Sequence, residues 1–162
     1  MKKLSEFCDT IGAKRGDISN WIERLELKTA YATTVPGSAR RFSFDNVLEL
    51  ALINGYAKAG VPPQLGVVIA DATIRKLHDH GNAKGREWVV FVAGDLQTAQ
   101  AADSLDEISF DELTSTQPND APVFSMVRVG EIVRRVKRLF ATPEDAGERS
   151  ATRAGRLVGE GR

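Results

Sequence analysis

The sequence predicts an α+β fold: a winged helix-turn-helix domain, then a small strand-strand-helix module, then a disordered C-terminal tail. Three observations carry this. Two short amphipathic stripes flank Gly12, β-forming residues surround the turn Pro36-Gly37-Ser38, and an apolar run from Trp88 to Val92 stands beyond two further helical segments. The expected boundaries are 1–80 for the first domain, 86–140 for the module and 143–162 for the tail.

Leu4, Phe7, Cys8 and Ile11 recur at i, i+3, i+4, i+7, the spacing of one face of a helix. Ile18, Trp21, Ile22 and Leu25 repeat it after Gly12, whose lack of a Cβ suits a sharp turn. Two short helices joined in this way are the sequence form of a helix-turn-helix. From Lys28 the period changes. Thr29, Tyr31, Thr33, Thr34 and Val35 favour strand, Pro36-Gly37-Ser38 turns, and Arg40-Arg41-Phe42 is expected to return as the second strand of a wing. Ser43 then has the chemistry of a helix N-cap, and Asp45 falls in the first turn, where the helix dipole favours an acid. The helix it opens runs to about Ala59 and is apolar on more than one face, which predicts a central, buried position. Gly60 ends it, and Leu65, Val68, Ile69, Ala72 and Leu77 outline a fourth helix.

Asp79 to Arg86, with Gly81 and Gly85, reads as a hinge. Trp88–Val92 is a strand, a polar acidic stretch follows, Gln117-Pro118-Asn119-Asp120 is a loop, and Val123–Val129 is a second strand candidate. Gly130 to Phe140 is an amphipathic helix with Ile132, Val133, Val136 and Leu139 on one face and a basic opposite face. That helix can cover the strands, seal a dimer or touch a DNA backbone; packing on the strands, with or without a dimer seam, is the expectation. Beyond Pro143 no apolar period remains.

The chain has 162 residues, 42% hydrophobic and 27% charged, enough for a core. The formal net charge is zero, so no overall basic excess argues for nucleic acid. The distribution is uneven: residues 1–78 hold 11 Lys/Arg against 8 Asp/Glu, and residues 86–140 hold 6 against 9. Cys8 is the one cysteine, which excludes an intramolecular disulfide and a cysteine-based zinc site. No apolar stretch approaches the roughly 20 residues of a membrane span. Met1-Lys2-Lys3 leads at once into polar residues, unlike a signal peptide, so the expected location is cytoplasmic.

Candidate contact residues lie on the second helix and the wing. At 100° per residue, Gly16, Ser19, Asn20, Glu23 and Arg24 point away from the core stripe. In a helix-turn-helix this outer face meets the bases: Asn20 suits adenine, Arg24 guanine or a phosphate, and Ser19 either. The same face also suits a solvated helix on an ordinary bundle. Glu23 would be repelled by phosphates unless Arg24 or Lys28 screens it. Arg40 and Arg41 fall on opposite faces of the wing strand, one to pack and one to reach DNA, although a salt-bridged strand would show the same pair. Lys14 and Arg15 stand near the second helix's amino end, a favourable place for a phosphate. His78 and His80 lack further ligands nearby, so no metal is expected. There is no phosphate-binding glycine loop, paired-carboxylate motif or assembled nucleophile and base, so neither an enzyme nor a cofactor is expected.

The order helix, Gly12 turn, helix, wing, Arg41-Phe42-Ser43-Phe44-Asp45-Asn46-Val47, central helix and Ala59-Gly60 resembles the DNA-binding region of MerR-type regulators over about Lys3 to Leu77. Trp21 falls where that family carries an aromatic in its second helix, and Ile53 where it has an apolar residue. The family's long dimerisation helix is replaced here by the glycine hinge and a strand, and its metal-sensing cysteines are missing. In this the chain is closer to the MerR-like and excisionase-like proteins of phages and mobile elements. The resemblance implies a sequence-specific transcriptional regulator that binds double-stranded DNA as a homodimer on a palindromic operator. An excisionase-like recombination factor, or an interaction module or antirepressor that has lost DNA binding, are the alternatives. Contact with RNA polymerase or an integrase stays open.

Overall fold

The stripe of Leu4, Phe7, Cys8 and Ile11 forms α1 (Leu4–Ile11), and the second stripe forms α2 (Arg15–Arg24). The turn between them needs its glycine. Gly12 has φ 68° and closes α1 by donating to the Asp9 carbonyl, while Ala13 donates to that of Cys8. In the computed structural model, which describes residues 1–32, 37–79, 86–92, 95–115 and 123–141, these helices belong to a mixed α+β fold with two small antiparallel sheets. Among the described residues no helix is long and apolar enough to cross a membrane.

The expected wing differs from the observed sheet. β2 (Arg41–Phe42) pairs with β1 (Lys2–Lys3) at the amino end, Lys3 opposite Arg41, and not with the segment after Lys28. Lys28–Ala32 is not a strand; Thr33–Pro36 lie outside the described residues. The physical reason is on the central helix, α3 (Phe44–Lys58). Its Glu49 accepts the backbone N–H groups of Lys28 and Thr29, and its Asn46 amide donates to the Ala30 carbonyl. Backbone groups that would have joined a ladder are tied to a helix instead.

α3 opens as expected. The Ser43 hydroxyl accepts the Asn46 N–H at 3.2 Å, and the Asn46 side chain accepts the Ser43 N–H at 2.9 Å. Val47, Leu50 and Ile53 are fully buried, and so is Glu49. α3 also fixes the end of α1, through Asn54 Nδ2 to the Ile11 carbonyl and Lys58 Nζ to that of Gly12. α4 (Pro63–Asp79) packs along α3. The hinge expected from 79 to 86 lies largely outside the described residues, and the tail expected over 143–162 lies wholly outside them.

β3 (Trp88–Val92) is the middle strand of the second sheet, ordered β4-β3-β5 with both pairings antiparallel. Its apolar run is unbroken because both faces are covered. Val89 and Phe91 join the helical core, whereas Val90 and Val92 join a second cluster with Ile108 and Leu113. β4 (Asp95–Ala102) falls in the stretch read as polar and acidic, to which no strand was assigned, and α5 (Phe110–Thr114) follows it. β5 (Phe124–Val127) is shorter than the expected 123–129, because α6 (Val129–Phe140) already begins there. α6 packs on α1, α3 and β3. Val133 and Val136 are buried in the same continuous core as Phe7 and Ile53, with Ile132 and Leu139 beside them. Phe140 meets Phe44 edge-on at 5.8 Å. The stripe expected to pack on the strands is thus covered by its own chain, on α1 and α3 as well as on β3.

Candidate functional site

Ile18 is fully buried, and Trp21, Ile22 and Leu25 pack against the core, which fixes the rotation of α2. Gly16, Asn20, Glu23 and Arg24 are consequently exposed, with Ser19 half-buried at the margin. Lys14 is the residue before the first turn and Arg15 begins it, both exposed. Arg41 is exposed on β2, whereas Arg40 precedes the strand and is half-buried. Phe42 between them and the core is buried and meets Phe7 at 5.1 Å and Tyr31 at 6.1 Å, both edge-on. That anchor sets where the two arginines stand.

An open groove of about 330 Å³ separates α2 from the β1/α1 junction and the approach to β2. Arg15, Ser19 and Glu23 line it from α2, Lys3 and Ser5 from the amino end, and Arg40 from the third side. Its apolar surface comes from Leu4, Ile22, Ala39 and Phe42. Glu23 therefore shares this groove with Arg15 and Arg40, and neither Arg24 nor Lys28, the residues considered for screening it, lines the groove. Lys28 stands 3.8 Å from Glu26 instead. Asn20 is not part of the groove, and Arg24 lies away from it, lining a smaller hollow with Lys28, Gln64 and Val68. The eight residues singled out in the sequence thus divide into a groove set (Arg15, Ser19, Arg40) and residues outside it (Lys14, Asn20, Arg24, Lys28 and Arg41).

Glu49 and Asn46 were not legible as site residues, yet they determine where Lys28 sits. The buried Glu49 carboxylate accepts Lys28 N–H at 2.7 Å, Thr29 N–H at 3.3 Å, the Thr29 hydroxyl, and the Tyr31 hydroxyl at 3.0 Å. Burial, and then the adjacent Glu49 charge, push the Tyr31 phenol far above its ordinary range, so it stays a donor. Asn46 Nδ2 adds bonds to Thr29 Oγ1 at 3.0 Å and the Ala30 carbonyl at 3.1 Å. Asn46 and Glu49, two polar residues three positions apart in an otherwise apolar stretch of the helix, were the available signal. At the amino end Lys3 was read only as part of a terminus, but its pairing with Arg41 brings it to the groove.

Burial raises the Cys8 thiol, which also donates to the Leu4 carbonyl at 2.8 Å, so it behaves as a core group. His78 stands 3.6 Å from Asp45; His80 lies outside the described residues. Among the described residues no group of three or more His, Cys, Asp or Glu is arranged to hold a metal ion. The sequence matches no protein-family model, and no curated protein matches it significantly.

Proposed function

We propose that the chain is a sequence-specific DNA-binding transcriptional regulator built on a MerR-like winged helix-turn-helix. In this reading α1 and α2 are the helix-turn-helix, and α2 lies in the major groove. The observation that carries the reading is the exposed polar face of α2 beside a groove lined by Lys3, Arg15 and Arg40. Asn20 and Arg24 project where a helix in the major groove meets base edges. Lys14, Arg15, Lys28, Arg40 and Arg41 supply backbone contacts, which add affinity without sequence information. Ser19, at the margin, serves either role. A module of this size buries little DNA surface, so two copies on a palindromic operator supply the affinity. The chain acts in the cytoplasm and needs no cofactor.

Selection of bound sites from a random duplex pool tests this. A palindromic consensus is the expected result. Replacing Asn20 or Arg24 with Ala should relax preference at particular positions of that consensus while sparing low-salt binding to random DNA. A pool that yields no consensus, from a protein that still binds random duplex, would favour an architectural role of the recombination type. No binding at low salt would favour a protein-interaction module.

A further inference from the structure

We infer that the outer edge of β5 is the seam of a homodimer, in which two copies pair antiparallel about a two-fold axis through Ser125. The seam names where the two copies of the proposed regulator meet, and it rests on that reading for its purpose alone. Val123-Phe124-Ser125-Met126-Val127 reads nearly alike in both directions. A two-fold axis puts residue i opposite j and j opposite i, so a self-pairing strand has to match its own reverse. Centred on Ser125, the axis opposes Val to Val, Phe to Met and Ser to Ser. The faces agree as well. Phe124 and Met126 stand opposite Val92 and Val90, on the face of the second cluster, whereas Val127 stands opposite Val89 on the face of the main core. Residues paired across the seam share a face, because the side-chain period is two. Moving the axis by one residue keeps the faces but brings Arg128 opposite Phe124, or Pro122, which has no N–H, opposite Met126. Moving it by half a residue aligns the second-cluster face of one copy with the main-core face of the other. Ser125 is the centre that keeps all five pairs apolar or small.

The edge has none of the devices that keep a strand from pairing. Among the described residues nothing pairs with its outer side, and no charge or proline falls between Val123 and Val127. Val123 is 68% and Met126 55% exposed, and Phe110, edge-on to Phe124 at 4.9 Å, is 41% exposed. These are three of the six large apolar side chains that the described residues leave exposed, and they gather at one edge. Arg128, next in the chain, is turned inward: it donates to Glu87 at 2.6 Å and stands over Trp88 of β3, 5.8 Å from the ring centroid. The opposite edge differs. β4 carries a register shift against β3, which blunts an edge, and it packs on α4. One open edge per copy closes the assembly at two, where two open edges would continue it into a fibre. A second copy is therefore the occupant, since a foreign strand would not require β5 to match its own reverse.

The test is sedimentation equilibrium of the full-length chain without DNA, for wild type, Ser125→Glu, Ser125→Lys and an equimolar mixture of the two variants. Five paired residues, about 17 Å of strand, make a small contact, so wild type should dimerise with a micromolar dissociation constant. Like charges facing across the axis should weaken each single variant about tenfold. The mixture should recover a dimer at least as tight as wild type, because the axis then sets opposite charges face to face. Ser125 is exposed, so both variants should fold; where a melting curve shows otherwise, Ser125→Cys oxidised with diamide takes their place. It should join into a disulfide dimer, whereas Val123→Cys should not, since the two copies of position 123 stand four residues apart, about 13 Å. Buried Cys8 adds no bridge of its own. A wild type that stays monomeric at near-millimolar concentration overturns the seam, and the DNA-binding reading is then judged by its own site selection. Single variants as dimeric as wild type would put the interface elsewhere and also overturn it. Weakened variants whose mixture stays monomeric would show that β5 pairs with something other than itself, and refute the two-fold axis. Cross-linking at 123 in place of 125 would refute the register.

Discussion

Replacing Glu49 with Ala is expected to be the most damaging single change in the segment that carries Lys28. The carboxylate is fully buried and accepts four hydrogen bonds, from Lys28 N–H, Thr29 N–H, the Thr29 hydroxyl and the Tyr31 hydroxyl. A buried donor left without a partner costs about 1–3 kcal/mol. Lys28 is exposed and its N–H can turn to water, so the loss falls mainly on Thr29 and Tyr31, for a total of about 3 kcal/mol. In a chain of this length that corresponds to a melting temperature lower by about 6–12 °C. Glu49→Gln keeps one acceptor oxygen but turns an NH₂ toward the donors, so its loss should be smaller but measurable. The decisive assay is a double-mutant cycle with Tyr31→Phe, followed by thermal and urea unfolding. Tyr31→Phe alone removes one bond to a charged acceptor, costing about 1.5 kcal/mol. In the Glu49→Ala background the same change should cost almost nothing, because the hydroxyl has already lost that acceptor. Equal costs in both backgrounds, or a Glu49→Ala protein melting within a degree of wild type, would refute the clamp.

Three further outcomes follow from the packing of α6 and the sheet. A Cβ at Gly130 would lie 2.0 Å from Glu87 Oε2 and 3.0 Å from the Glu87 backbone, so Gly130→Ala should destabilise by about 1–3 kcal/mol in urea unfolding; a neutral result would show that the helix start can shift freely. Hydrogen bonds from Arg134 and then Arg128 hold the Glu87 carboxyl down to about 2. A depressed folded value means that the contribution is present above the ordinary pKa of 4.5 and disappears as pH falls toward 2. Wild type should therefore out-melt Glu87→Gln at pH 6 and converge with it near pH 2; a gap independent of pH would remove the ionic explanation. Finally, a fragment of residues 1–80 lacks Val133 and Val136, which complete the core against α1 and α3. It should show a broad, non-cooperative transition by circular dichroism, and a sharp one would show that the first 80 residues fold alone.

Whatever depended on neighbours along the chain could be read from the sequence. The spacing of Leu4, Phe7, Cys8 and Ile11 and of Ile18, Trp21 and Ile22 determined two helices and their inner faces, because a 3.6-residue period is a local property. Ser43 as a cap and Trp88–Val92 as a strand are local in the same sense, and the exposure of Asn20 and Arg24 followed from the period alone. β4 escaped because its inward residues at 99 and 101 are alanines, too small to mark an apolar alternation against Gln100. Only tertiary structure decided who pairs with whom. Arg41–Phe42 could have closed a hairpin with the segment after Lys28, but that segment's backbone is held by Glu49 and Asn46, and β1 takes the place. The groove likewise required Lys3, Arg15 and Arg40, from three elements, to meet. Local periodicity cannot encode such convergence, since it comes from contacts between residues some 12 to 40 positions apart, whose free energy is realised only when the core has formed.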